Sequence, residues 1–337
     1  MADAERSDAA PALQVIRAGL LDLLVDPGRR GWQRFGMPQG GPADAESYGV
    51  AAILAGGAGT ESAAATEVTA AGPVLEAVGG ACRVAVACAG EVAATVQRGD
   101  GTKEPVPPFT SATLRPGDRL AIGLVRHVLR AYVAVRGGID VPPQLGSRST
   151  CLRGGTTGLL ARALRPGDLL PLDPSACEPR GPERTMVAPA FLSDRSPLAI
   201  LDGPQKDRLR RADAHALLRK TTVFRAAAAI DRTGIRLEGP PFPLRFGADV
   251  ASQGCPAGAL QVVGDGSAIL LGPDRGTTGG YAIPAVVASW DLPRLGRIRP
   301  GGIVRFDHVD SLELAEAART IRARAMDGLA DAVTYVF

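Results

Sequence analysis

The amino-acid sequence predicts a mainly β protein with few helices, and three observations support this. Glycine and proline are abundant, with 42 Gly and 27 Pro among 337 residues, and they separate short runs rich in valine, isoleucine and leucine. One Pro-Gly turn occurs three times, each time before an apolar run. Only three segments have the capping residues or the apolar spacing of a helix. This pattern favours many strands joined by tight turns.

The recurring turn lies at residues 114–118, 164–168 and 298–302, which read LRPGD, LRPGD and IRPGG. Proline at position i+1 presets φ, and glycine at position i+2 tolerates the positive φ that a type II turn requires. Three copies of one turn suggest related β modules.

Strands are predicted from short apolar runs, and helices from caps and periodicity. The strand candidates are residues 83–87, 120–124, 130–135, 259–263, 268–271 and 302–306. A helix is expected over 45–55, because Asp44 is a favourable N-cap and two glycines follow the segment. Amphipathic patterns predict two more helices, over 205–218 and 312–326.

The chain is long enough, and at 45% hydrophobic residues apolar enough, to bury one large core or two smaller ones. A stretch rich in proline and charge, which includes DPSACEPRGPERT, is predicted to connect two halves. The predicted organisation is a disordered N terminus over 1–12, a first half over 13–172, a linker region over 173–198, a second half over 199–310, and a C-terminal helix and tail over 311–337.

Charge and composition argue against several functional classes. The net charge is +3 and the basic residues are scattered, so no nucleic-acid partner is expected. No apolar stretch could span a bilayer and the first dozen residues lack the features of a signal peptide, so we expect no membrane association and a cytoplasmic location. Five cysteines without a CxxC spacing and three distant histidines predict neither disulfides nor a metal site.

Three glycine-rich loops carry polar residues suited to binding a ligand. They cover residues 26–44, 135–150 and 272–281, and each combines glycines with arginine and aspartate. Glycine allows backbone N–H groups to approach an anion or oxyanion closely, and arginine adds a bidentate donor. The alternative interpretation is that all three are ordinary turns with solvated charges.

No complete motif of a common catalytic class is present. The sequence has neither GxSxG nor HExxH, Thr277 occupies the position of the lysine in a phosphate-binding loop, and residues 264–266 lack the third glycine of a dinucleotide fingerprint.

Five ordered blocks between about residues 20 and 309 resemble one protein family. They are the DxGRxGxQxxGxPxxGxxD pattern over 26–44, VRGGIDVPPQLGSRST, DRTGIRLEGP, PAGALQVVGDGSAILLGPDRGTTGGY and DLPRL. They resemble the KipA family, also called allophanate hydrolase subunit 2 or the biotin-dependent carboxyltransferase family, which includes the C subunit of the bacterial ATP-dependent 5-oxoprolinase. The resemblance implies a mainly β fold of two cyclophilin-like β-barrel subdomains with a few helices. It also implies a partner, a KipI-like protein or the B subunit of 5-oxoprolinase.

A small-molecule amide or lactam is the substrate that the resemblance implies. Opening 5-oxoproline with ATP and moving CO2 from carboxybiotin to a urea-like amide both polarise an N–C=O group, so the site needs donors for the carbonyl oxygen and a base. ATP is implied at the complex, without indicating that it binds this chain. Biotin could come only from another protein, because no lysine lies in a biotin-attachment sequence.

The residues predicted on this basis fall into two groups. The catalytic candidates are Asp26, Arg29, Asp231 and Arg232, and the substrate-binding candidates are Gln33, Gly41, Asp44, Arg136, Asp265, Thr277, Thr278, Gly279 and Tyr281. Each aspartate could instead cap a turn, and each arginine could instead form a salt bridge between loops.

Several positions depart from the polar residues that the family pattern leads us to expect. Val25 replaces a glutamine, Gln253 a glutamate and Gly276 a glutamine, while Ile230 and Thr233 replace a serine and a methionine. The sequence therefore leaves three functions open: a 5-oxoprolinase component, a carboxyltransferase component, and a non-catalytic KipA-like antagonist or a member with a different substrate.

Overall fold

A computed structural model describes residues 10–57, 63–179 and 181–336, without the side chains of Arg211 and His215. Most of the predicted disordered N terminus, residues 1–9, lies outside the described residues. Within them, the strands are β1 Ala12–Arg17, β2 Leu21–Val25, β3 Ala65–Thr69, β4 Val74–Val78, β5 Cys82–Ala87, β6 Glu91–Gln97, β7 Lys103–Val106, β8 Ser111–Leu114, β9 Arg119–Arg126, β10 Arg130–Val135, β11 Leu169–Pro171, β12 Glu183–Thr185, β13 Leu198–Asp202, β14 Phe224–Ile230, β15 Gly234–Glu238, β16 Asp249–Gly254, β17 Ala259–Val262, β18 Ala268–Leu271, β19 Thr278–Val287, β20 Ile303–Val304, β21 Phe306–His308 and β22 Thr334–Val336. The α-helices are α1 Ala45–Ala55, α2 Arg211–Leu217, α3 Leu292–Leu295 and α4 Leu312–Asp327. The predicted mainly β class with few helices is confirmed.

The chain divides into two compact units. The first comprises the described parts of Met1–Arg29, Gly40–Asp194 and Met326–Phe337, and the second comprises Arg30–Gln39 and Arg195–Ala325. The main division falls inside the stretch predicted as a linker. The loop over 26–44 and the C-terminal segment are each shared between the units, which the sequence did not indicate.

The first unit contains a six-stranded sheet, in the order β11-β1-β4-β9-β6-β7, and a five-stranded sheet, in the order β2-β3-β10-β5-β8. Apolar residues of both sheets form one core, together with helix α1. All residues of α1 after Ala45 are buried, which fits a helix with small and apolar residues on every side. Asp44 caps its N terminus and Gly56, with φ of 105°, ends it, as predicted.

The second unit contains one sheet of nine strands, in the order β20-β14-β15-β18-β17-β19-β13-β21, with β16 pairing with β19. One face of this sheet carries the main core, which includes Leu260 and Val262 of β17. The opposite face carries a small cluster around Cys255, Ala259 and Ile283. Alternation along β17 therefore places Gln261 on the face of the small cluster.

The three predicted Pro-Gly turns form as type II turns and pack in the same way. Their glycines, Gly117, Gly167 and Gly301, have φ of 89°, 90° and 72°. In each turn the glycine N–H donates to the carbonyl of a strand residue. The N–H of that strand residue in turn donates to the carbonyl of the residue that follows the glycine. These strand residues are Ala77, Val15 and Ala226. The same pair of hydrogen bonds to a strand is thus repeated at all three turns, and the related β modules stay a prediction.

Two predicted elements are wrong in extent. The segment 205–218 is not one helix, because Leu209 leaves the helical path to form a bridge with Leu244, so that a 3₁₀ turn precedes α2. The segment 302–306 is two short strands, because the chain changes partners there: β20 pairs with β14, and β21 pairs with β13.

The stretch 173–198 is packed into the first unit as far as Asp194, and most of it is not a free linker. Arg83 donates to the carbonyls of Gly181 and Pro182, each at 3.1 Å. Strand β12 pairs with β22, and Met186 and Leu192 are buried in the first core. The proline-rich composition reflects irregular packed backbone as well as a connection.

Candidate functional site

Asp26 lies at the end of β2 and is bound on all sides by donors, most of them from the segment 147–149. Its Oδ1 accepts from the hydroxyls of Ser147 and Ser149 and from the N–H of Gly28, and its Oδ2 accepts from the N–H of Arg148 at 2.6 Å. The residue is 5% exposed. A carboxylate with this many hydrogen bonds holds two loops together. This is a structural role for Asp26, in contrast to the predicted role of a catalytic base.

Arg29 and Gly41 lie beside this clamp. The Arg29 guanidinium is fully buried and donates to the carbonyl of Ser149. A Cβ built on Gly41, which has φ of 87°, would lie 3.2 Å from the carbonyl oxygen of Pro27. Close packing of the loop against this strand end therefore requires glycine. The structure brings Asp26 and Arg29 together at Ser149, and places Gly41 against the backbone of Asp26 and Pro27.

We expect Asp26→Asn to lower the free energy of unfolding of the protein by about 1–3 kcal/mol. In one orientation the asparagine NH2 group would face the Arg148 N–H, and in the other it would replace the oxygen that accepts from the two serine hydroxyls. The measurement is urea denaturation of the purified chain. Asp140→Asn is the matched control, since Asp140 is exposed and pairs with Arg148 at 3.3 Å. An unchanged urea midpoint together with lost turnover would instead support the predicted catalytic role.

Asp44 and Arg136 lie at opposite ends of α1. The Asp44 carboxylate caps the helix through the N–H groups of Glu46 and Ser47, and its own N–H donates to the Tyr132 hydroxyl at 2.7 Å. The Arg136 side chain instead lies beside Gly56, where a built Cβ would be 3.6 Å from it. Eleven helical residues span about 16 Å, so these two predicted binding residues are not neighbours.

A buried polar network supports the position of Asp44. The Tyr132 hydroxyl donates to Glu67 at 2.8 Å, and Glu67 is also within 3.2 Å of Arg130 Nε. The carboxylate and the tyrosine are 0% exposed. Burial next to Glu67 raises the pKa of Tyr132 well above its usual value, so its hydroxyl stays protonated and acts as a fixed donor.

In the second unit, Arg232 is bound to Asp274 by a buried bidentate salt bridge. Nε donates to Oδ2 at 2.7 Å and Nη2 donates to Oδ1 at 2.9 Å, and the two side chains are 3% and 8% exposed. The N–H of Asp274 also donates to the Arg232 carbonyl at 2.9 Å. Arg232 thus joins the loop before β15 to the glycine-rich loop before β19.

Asp231 is exposed and caps the turn that leads into β15. Its Oδ1 accepts from the N–H groups of Thr233 at 2.7 Å and Gly234 at 3.0 Å. This is the Asx turn that the sequence left open as an alternative. Asp265 forms a second one, with the N–H of Ser267 at 2.8 Å, and this bond lowers its pKa.

Asp265 lies away from the glycine-rich loop. It precedes the first residue of β18, whereas Asp274 follows the last, and the four residues of that strand span about 13 Å. Gln33 lies in a 3₁₀ turn next to Trp32 and Phe35, whose ring centroids are 5.6 Å apart.

The glycine-rich loop forms a wall of backbone next to β16. The Thr277 carbonyl accepts from the N–H of Cys255 at 2.9 Å, and Gly279 and Thr278 pair with Gln253 and Gly254. Tyr281 is 42% exposed, and its hydroxyl has no hydrogen-bond partner within the described residues. Thr278 and Tyr281 are therefore accessible to a ligand.

Gln253, one of the departures from the family pattern, forms a reciprocal amide pair with Gln205. Each side chain donates to the other, at 3.0 and 2.8 Å, and Gln205 Oε1 also accepts from the N–H of Ile283 at 2.9 Å. A glutamate at position 253 would offer Gln205 Oε1 no donor when ionised. The amide at this position is thus matched to its partner in this chain.

Gly279 is required by close packing. A Cβ built there would lie 2.7 Å from Gln261 Nε2 and 2.9 Å from Cys255 Sγ, so any other residue would displace both side chains. Gln261, and Arg275 of the adjoining loop, were not predicted from the sequence as site residues. In the sequence, Gln261 has no feature that separates it from other strand residues, and Arg275 resembles a solvated charge in a loop. Only the arrangement of the neighbouring strands shows that both are buried.

The predicted site residues therefore fall into two groups, one in each unit. The first unit holds Asp26, Arg29, Gly41, Asp44 and Arg136, and the second holds Gln33, Asp231, Arg232, Asp265, Thr277, Thr278, Gly279 and Tyr281. That the two groups act in one site stays a prediction. Ser147, Ser149 and Asp274, the partners of Asp26 and Arg232, were not identified, although they lie in the glycine-rich loops already singled out.

Neither a membrane-crossing helix nor a metal-binding cluster occurs in the described part of the chain. Within 10–57, 63–179 and 181–336 no helix is both long and apolar enough to cross a membrane. Over the same ranges, no three side chains among His, Cys, Asp and Glu are grouped so that they could hold a metal ion. All five cysteines are free thiols.

Comparison with known proteins decides the family. The model of the carboxyltransferase domain, subdomain A and B, matches residues 35–308. The chain belongs to this family. It is 31% identical to the 5-oxoprolinase C subunit of Escherichia coli over 320 residues, which cover 94% of this chain and 97% of that protein. The resemblance inferred from the five sequence blocks is confirmed.

Larger proteins named for urea chemistry are also similar to this chain. Urea amidolyase of Lachancea kluyveri is 28% identical over 95% of this chain but only 18% of its own length. The crystal structure of the Kluyveromyces lactis urea carboxylase superimposes with a TM-score of 0.83 at 27% identity, over 96% of this chain and 29% of that one. The chain thus spans less than a third of these larger proteins.

Proposed function

We propose that this chain is the C subunit of an ATP-dependent 5-oxoprolinase, and that it acts with a KipI-like protein of the B-subunit type. One observation carries the proposal: the chain matches 97% of a 5-oxoprolinase C subunit, whereas it matches less than a fifth of urea amidolyase. Because one fold can serve several functions, agreement over the whole length of a protein weighs more than similarity of the fold alone.

The reaction is the opening of a lactam. Water adds to the carbonyl carbon, the C–N bond breaks, and the nitrogen leaves as the amine of glutamate. The site must therefore donate hydrogen bonds to a carbonyl oxygen that gains negative charge. The exposed backbone and hydroxyls of the loop 276–281 are suited to this role. Asp26 and Arg232 support the proposal indirectly, because their bonds fix the loops that carry candidate donors.

ATP would supply the driving force for ring opening in the complex. The described residues group no set of three metal-ligating side chains, and Thr277 replaces the lysine of a phosphate-binding loop. The described residues by themselves thus do not fit a site for magnesium and a triphosphate, and we propose no ATP site on this chain.

A second candidate function is carboxyl transfer from carboxybiotin to a urea-like amide. The observation in its favour is the TM-score of 0.83 with urea carboxylase over 96% of this chain. Biotin would then be carried by another protein. The two reactions share the polarised N–C=O group but differ in their co-substrates and products.

The test is to co-express the chain with the B-subunit-type protein of the same genome and to assay the purified complex. We expect glutamate release from 5-oxoproline that depends on ATP and on both proteins. Each protein alone is the control. Biotin-dependent consumption of bicarbonate without glutamate release would favour the second function, and a complex with neither activity would indicate an antagonist.

A further inference from the structure

Arg275 is a buried cation whose charge is not balanced by a salt bridge. The residue is 4% exposed, its Nε donates to the carbonyl of Cys255 at 2.7 Å, and its Nη1 donates to the carbonyl of Gly272 at 3.4 Å. No described carboxylate forms an ion pair with it, since neighbouring Asp274 is held by Arg232. Burial lowers the pKa of the Arg275 guanidinium and raises that of the Cys255 thiol, which therefore stays neutral.

A buried guanidinium without a counterion is costly, and the cost is removed when an anion binds. Arginine recognises planar anions such as carboxylates through parallel N–H donors. Carbonyl oxygens at Cys255 and Gly272 hold the side chain in place without neutralising it. This arrangement leaves the charge of Arg275 available for a ligand.

Gln261 is a second polar group of interest, near the same cysteine. It is 9% exposed, and its amide forms no hydrogen bond with any described residue. Its Nε2 and the Cys255 Sγ both lie within 3 Å of the point where a Cβ of Gly279 would be. The side chain occupies the space that this glycine leaves open.

A primary amide can donate one hydrogen bond and accept another, and this matches the N–H and C=O of a lactam or a cis amide. No atom of Gln261 or Arg275 is among the fully buried polar atoms of the described residues that lack a partner, so the amide and Arg275 Nη2 lie where a ligand can reach them. A guanidinium without a carboxylate and an amide without a hydrogen-bond partner are both suited to binding that ligand. Cys255 lies near both groups: its carbonyl accepts from Arg275 Nε, and its thiol lies, like Gln261 Nε2, against Gly279.

We infer that Arg275 and Gln261 form a subsite for a small amide that carries a carboxylate, with Arg275 binding the carboxylate and Gln261 the amide. The inference rests on the proposed function and deepens it, since 5-oxoproline is a lactam with a carboxylate. Urea has no carboxylate and would leave Arg275 without a counterion. The subsite therefore favours lactam opening over carboxylation of urea.

The test is titration calorimetry of the full chain with two ligands that differ only in the carboxylate, 5-oxoproline and 2-pyrrolidinone. We expect the wild-type chain to prefer 5-oxoproline by about tenfold or more, as a charge-assisted pair requires. Arg275→Gln should remove this preference, and Arg275→Lys should restore part of it. Gln261→Met should weaken both ligands by a similar factor and keep their ratio.

Arg236→Gln is the matched control, because Arg236 is an exposed arginine of the same unit that donates to Ser267 at 3.0 Å. It should leave both affinities unchanged. A wild-type chain without the preference, or a preference that survives Arg275→Gln, would overturn the subsite. Glutamate release by the complex is measured separately, so that failure of the proposed function and failure of the subsite are distinguished.

Discussion

Asp274→Ala is expected to destabilise the protein by about 3–5 kcal/mol, because it leaves the buried Arg232 guanidinium without its bidentate partner. The loss should appear as a lower urea midpoint of the second unit. The double variant Arg232→Met/Asp274→Leu should lose less than the single variant, since replacing both charges by apolar groups avoids an uncompensated buried charge.

Asp265→Ala provides the control for this prediction. Asp265 is an exposed aspartate of the same unit that caps one turn, so its loss should cost much less than that of Asp274. If Asp274→Ala retains wild-type stability and abolishes glutamate release in the complex, Arg232 and Asp274 belong to the catalytic machinery and not to the loop framework.

Asp22→Asn is expected to stabilise the protein at neutral pH and to remove part of its pH dependence. Asp22 is 1% exposed in β2, and its Oδ1 has no donor among the described residues. Burial raises the pKa of Asp22 from 3.8 to about 6. The folded state therefore holds this proton more tightly than the unfolded state.

The direction in which stability changes with pH follows from proton linkage. Between the unfolded pKa and the folded pKa the folded state binds more protons, so stability falls as the pH rises from about 4 to about 6, by about 3 kcal/mol in total. An asparagine at this position would carry no such loss, and the two proteins should have similar stability at about pH 4 and differ most at about pH 8. The measurement is the free energy of unfolding in urea across this range.

The control for Asp22→Asn is Asp331→Asn, which changes an exposed aspartate. Its stability should follow the wild-type pH profile. If Asp22→Asn also follows that profile, Asp22 is not protonated in the folded state and a donor for Oδ1 must be present.

Local features of the chain were predicted well because they depend on residues close in sequence. Proline and glycine restrict the backbone of the three LRPGD-like turns, and Asp44 and Gly56 fix the two ends of α1 without help from distant residues. In the segment 205–218 a distant residue overrides the local pattern. Its periodicity is helical, but a bridge between Leu209 and Leu244 interrupts the helix.

What the sequence by itself determined is the mainly β class, the repeated turn, the first helix and the family, together with the loops that carry the candidate site. Only the tertiary structure decided what each polar side chain does. Asp26 meets Ser149 across 123 residues and Arg232 meets Asp274 across 42, so that both predicted catalytic groups hold loops together. Arg275 and Gln261 were not among the predicted site residues; within the described residues the first has no carboxylate partner and the amide of the second has no hydrogen-bond partner. The physical reason is that backbone conformation is set by neighbouring residues, whereas the charge balance and hydrogen bonds of a side chain depend on which strands and loops lie next to it.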